Sequence, residues 1–384
     1  MATYQTFSAP IMDTLAHFQA FAQFFGGGFT TIGWTAQTGH GELPASGSGS
    51  SYAFTNPVLP AVAMNPMATY TYRGAWVSGT TYPNGSNTAN ATADIVTDNS
   101  VGGNGISYQK ITTNVATNLT TAPHSNATDW QPLQFEIWKS TGANSSTLPI
   151  YVRLTYTIQG AANSSVRFFM QVGTGIDSNG NITGATTMST TAPVNTCVMD
   201  NSTTTSGVLA ECDFAGDADN FRFILWRGHT ASALWSQLFV ADRSKNASGS
   251  DTNAFIWFGA ILLQVGGQTN RTSILPNLTI GASPISVYNS CGWPGTIWSG
   301  GQSTSMAQFG SVPPLPIFPL IGYIAGPVLG AVGFHRPDVT DGSIIPVWNY
   351  GASHNYLVNS NSAAALGSID NVATNGSVAA ILWE

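Results

Sequence analysis

The chain has 384 residues, with 11 Lys and Arg against 18 Asp and Glu, a net charge of −7 and only 8% charged residues, where ordinary domains carry about 25%. Its 43% hydrophobic content, with 11 Trp, 12 Tyr and 19 Phe, excludes disorder, which needs low hydrophobicity joined to high charge. The acidic balance excludes general nucleic-acid binding, which rests on clustered Lys and Arg, and helix-rich folds are disfavoured because their solvent faces are coated with charge.

The N-terminal run MATYQTFSAPIMDTLAHFQAF lacks a positive leader and an unbroken apolar core, so no secretory signal is expected. One helix is predicted. Asp13 caps a run that places Leu15, Phe18, Phe21, Ala22 and Phe25 on one face, and Gly26, Gly27 and Gly28 are expected to stop it. So aromatic a face must dock, either on the chain's own core or on a partner subunit. The Gly-Ser loop after Trp34 reads as a flexible connection.

From Tyr70 onward the pattern is strands and turns. Tyr151 to Ile158 and Val166 to Val172 alternate with period two around a polar turn and predict a hairpin. Phe221 to Arg227 and Leu234 to Arg243 repeat the arrangement, and Ala254 to Val265 supplies a further apolar strand. Pro313 to Phe334 is the most apolar stretch, but its prolines at 313, 314, 316, 319 and 327 break the hydrogen bonds that a membrane helix needs. A buried extended segment or a subunit contact is expected there, with Phe318 and Ile321 as candidate contact residues and no membrane insertion. Near the end, Ala363 to Leu366 offers one helical turn at most.

Between Tyr72 and Leu133 lie Trp76, Gly79 with Thr80 and Tyr82, Asp94 with Val96, Gly105 with Tyr108, Ala122 with Pro123, and Trp130 with Gln131. This succession resembles the small chitin-binding type of carbohydrate-binding module, which also occurs on bacteriophage tail proteins. Asn84 to Ala93 and Asp98 to Gly105 are longer than the family's turns. The resemblance implies glycan contact through Trp76, Tyr82, Tyr108 and Trp130, by stacking aromatic rings on pyranose faces. In so small a fold the same rings must also supply the core.

A wider pattern combines the helix ending at Gly33 and Trp34, the strand Pro149 to Tyr156, the Gln171 to Gly184 turn run, and Arg243, Ser244 and Gly249. It resembles a class of tailed-phage virion proteins. These resemblances imply a virion localisation, with partners that are copies of the chain itself, other virion proteins and host surface polysaccharide.

Catalytic signatures fail in turn. No Gly-x-Ser-x-Gly elbow, phosphate loop, His-Glu-x-x-His or Cys-x-x-Cys occurs. Asp177, Asn179 and Asn181 alternate as calcium ligands would, but the glycine stands too early and no acidic twelfth ligand follows, so an Asn-Gly turn is expected. Glu211, Asp213, Asp217 and Asp219 are expected as a loop of solvated carboxylates rather than a glycosidase pair or a cation site. Cys197, Cys212 and Cys291 are expected as buried thiols.

The resulting expectation is a mainly β protein with a β-sandwich body, one N-terminal helix and a small inserted β module. Its segments are an arm at 1–70, the module at 71–135, the body at 136–275 and a Gly/Pro-rich region at 276–384. No enzymatic activity, metal or cofactor is expected; the alternative reading is a glycan-binding adhesin or a polysaccharide-degrading enzyme, which would need a cleft with two facing carboxylates. Candidate interface residues are Phe18, Phe21, Phe25, Phe318 and Ile321.

Overall fold

The computed structural model describes residues 3–9, 15–42, 69–85, 92–103, 105–112, 118–159, 165–184, 210–227, 237–246, 248–261, 277–280, 283–286, 315–317, 328–335, 342–349, 351–359 and 377–384. The fold is mainly β with a single N-terminal helix and several antiparallel sheets. Strand β1 (Thr3–Ala9) precedes helix α1 (Leu15–Thr31) and the short β2 (Thr35–Ala36).

The module follows as β3 (Thr69–Ala75), β4 (Thr80–Thr81), β5 (Thr92–Asp98), β6 (Ile106–Lys110), β7 (Asn118–Leu119) and β8 (Trp130–Pro132). Its main sheet has the order β3-β5-β6-β8, with β3 and β5 parallel, and β4 and β7 form a separate ribbon. Next come β9 (Gln134–Lys139), β10 (Tyr151–Gln159), β11 (Ser165–Gly173), β12 (Gly175–Ile176) and β13 (Ile182–Thr183). The predicted hairpin forms here, with Tyr151 opposite Gly173 and Gln159 opposite Ser165, inside a sheet of order β11-β10-β9-β2.

The remaining strands are β14 (Ala210–Gly216), β15 (Phe221–Arg227), β16 (Gln237–Lys245), β17 (Asp251–Ile261), β18 (Asn277–Ile280), β19 (Ser283–Ser286), β20 (Leu315–Ile317), β21 (Val328–His335), β22 (Ile344–Asn349), β23 (Ala352–Asn359) and β24 (Ser377–Leu382). With β1 they build a 12-stranded sheet whose main path is β1-β14-β15-β16-β21-β24-β23-β22. It runs through the pair Ser244 and Val328 into the C-terminal strands. Within the apolar proline-rich stretch, β20 and β21 are extended, while Phe318 and Ile321 lie outside the described residues, as do Ala363 to Leu366.

Helix α1 does not stop at its glycine triplet. It continues to Thr31, and the break comes at Gly33, whose φ of 86° only glycine adopts at low cost. The triplet survives because Phe25 and Phe29, either side of it, are fully buried and fix the helix by packing. Thr30 and Thr31 hydroxyls also donate back to the Gly26 and Gly27 carbonyls. Phe29 stacks on Trp138 of β9 and meets Phe214 of β14 and Phe221 of β15 edge-on. The helix thus wedges the four-stranded sheet against the large one. This corrects the placing of Phe25 at a subunit interface, since its ring lies 5.1 Å from Phe223 inside the chain's own core. Phe18 and Phe21 belong to α1, but their side chains lie outside what is described.

The acidic run is likewise not a solvated loop. Asp213 sits on β14 and is buried, and Asp219 is buried against Arg243. Cys212 is buried and makes no disulfide, as expected; Cys197 and Cys291 lie outside the described residues.

Candidate functional site

The module has two buried layers. One side of its sheet joins the body in a shared core of Tyr70, Ala93, Ile95, Leu133, Phe135 and Ile137. The other side encloses Tyr82, Val96, Ile106, Tyr108, Leu119 and Trp130, with Trp76 packed on its rim. The period-two alternation of β5 produces this division: Ile95 faces the body while Val96 faces the module's own core.

The structure brings all four glycan candidates into that second layer, and their burial corrects the expectation for three of them. Trp130 is fully buried, Tyr108 is 1% exposed and Tyr82 is 3% exposed. A sealed ring has no face to lay on a pyranose. Tyr82 and Trp130 meet edge-on at 5.2 Å, and the Tyr82 hydroxyl accepts a hydrogen bond from the Val77 N–H at 2.9 Å. Burial raises the phenols of both Tyr82 and Tyr108 above the ordinary tyrosine range. Only Trp76 remains half-open, beside the exposed Val77 and Ser78.

At one end of the module the Asp98 carboxylate is fully buried and receives four donors. They are the Ser100 N–H and hydroxyl, the His124 N–H, and His124 Nδ1 at 2.9 Å. Burial alone would raise its pKa, but these hydrogen bonds outweigh it and hold the carboxyl below its usual value. Ser, His and Asp meet here without forming a nucleophile relay. The Ser100 hydroxyl and the carboxylate share the same Nδ1, while a Cβ on Gly102 would lie 3.0 Å from Nε2.

The Asp177 loop clips the module to the body. Asn181 Oδ1 accepts from the Tyr70 N–H at 2.8 Å, its Nδ2 donates to the Tyr70 carbonyl at 2.8 Å, and Asn179 Oδ1 accepts from the Tyr72 N–H at 3.2 Å. Two side chains therefore satisfy the outer edge of β3 as a neighbouring strand would. Asp177 is consumed by the loop itself, accepting from the Asn179 and Asn181 N–H groups and from Asn181 Nδ2. Gly180, at φ 77°, completes the expected Asn-Gly turn. Among the described residues no group of three or more His, Cys, Asp or Glu is placed to hold a metal ion, and no helix is long and apolar enough to cross a membrane.

Among the described residues an exposed apolar stripe lies elsewhere, on β22, the last strand of the large sheet's main path. Alternation sends Ile345 and Val347 into a core with Tyr356, Val358, Ala380 and Leu382. It leaves Ile344 54% exposed, Pro346 exposed and Trp348 74% exposed on the opposite face. Pro346 has no N–H to donate, which blunts the strand as an edge for ladder pairing. Sequence reasoning missed this stripe. Its signal is present in Ile-Ile-Pro-Val-Trp, which is apolar on both faces where a surface strand normally alternates with polar residues.

Compared with protein-family models, curated proteins and solved structures, the chain matches none.

Proposed function

We propose that this chain is a structural protein of a tailed-bacteriophage virion, a tail, neck or capsid appendage that assembles as a homo-oligomer and contacts host surface glycans. The observation that carries the assembly reading is the exposed stripe Ile344, Pro346 and Trp348. Large apolar side chains aligned on one strand face mark association surfaces. β22 contains no charged residue, and on β23 the one basic side chain, His354, is paired with Glu384, so little like charge opposes the meeting of identical copies. The resemblances read from the sequence support the virion setting, and the low overall charge suits dry contacts between like subunits. Glycan contact, in this reading, falls to Trp76 and the exposed turn after it. The role is one of assembly and attachment, with no enzymatic step.

Light scattering on the purified chain tests the reading. An oligomer that falls to monomers in the Ile344→Lys, Trp348→Lys double variant is expected. A wild-type monomer, together with no antibody decoration of phage particles, would overturn it.

A further inference from the structure

We draw no further inference here: the strongest candidate, the outer edge of β1 at the end of the large sheet's main path, which has neither a charged residue nor a proline to blunt it and which no strand among the described residues pairs, carries nothing because nothing in the structure shows what covers it.

Discussion

Arg243 on β16 and Asp219, in the turn before β15, meet at 3.1 Å with both side chains almost sealed from solvent. The pair reaches beyond its own sheet. Asp219 Oδ1 also accepts from the Ser145 hydroxyl, the Asn144 N–H donates to Oδ2, and Arg243 Nη2 donates to the Leu148 carbonyl. The segment between β9 and β10 is thereby fastened to the large sheet through one ion pair. Removing one partner leaves a buried charge uncompensated, so Asp219→Ala or Arg243→Met should each cost about 3–5 kcal/mol. Urea midpoints would measure this. The double variant should lose less than the sum of the singles.

Asn181 imitates a strand edge with one side chain, making both hydrogen bonds to Tyr70. Asn181→Ala should expose that edge of β3 and cost about 1–3 kcal/mol, the range for buried backbone groups left unsatisfied. Hydrogen exchange is the direct readout: the Tyr70 amide should lose protection while amides of β15 and β16 keep theirs. Equal loss everywhere would mean that the clip is global rather than local.

What could be read in advance divides along the range of the forces involved. The hairpin of β10 and β11 and the Asn-Gly turn at Gly180 are local, so period-two alternation and turn chemistry announce them. The end of α1 is not local. Glycines 26 to 28 disfavour helix, yet the burial of Phe25 and Phe29 overrides them. Trp130 and Tyr108 show a different limit, because an aromatic spacing that suits a sugar platform also suits a small core, and only the tertiary arrangement separates the two. Asn181 and the parallel pairing of β3 with β5 join segments far apart in the chain, which no window of sequence contains.

Asp98 makes stability depend on acid. Its folded pKa lies below the unfolded value of about 3.9, so its contribution is present above about pH 4 and is lost as pH falls through the folded value. A thermal-melting series from pH 6 to pH 2 should therefore show an acid limb. Asp98→Asn should flatten that limb while lowering stability at pH 6, and His124→Ala should act in the same direction by removing the Nδ1 donor.

Trp130 and Trp76 should separate under the same substitution. Trp130→Ala empties a fully buried site and should cost about 3–5 kcal/mol, lowering the denaturation midpoint. Trp76→Ala acts on a half-open ring at the rim and should cost less, while weakening retention on host polysaccharide if the attachment reading holds. Unchanged retention in a folded Trp76→Ala variant would remove glycan contact from Trp76.

Gly27 lies in the interior of α1 with no atom within 4 Å of where a Cβ would stand. Its backbone is helical and needs no glycine, so Gly27→Ala trades only backbone freedom in the unfolded chain. A gain of about 0.4–1 kcal/mol should follow. Gly33→Ala provides the opposite control, because its φ of 86° strains any side chain. That change should destabilise the chain although a Cβ there would meet little. Melting temperatures of the two variants would thus move in opposite directions, distinguishing helix propensity from helix termination within a stretch of seven residues, Gly27 to Gly33.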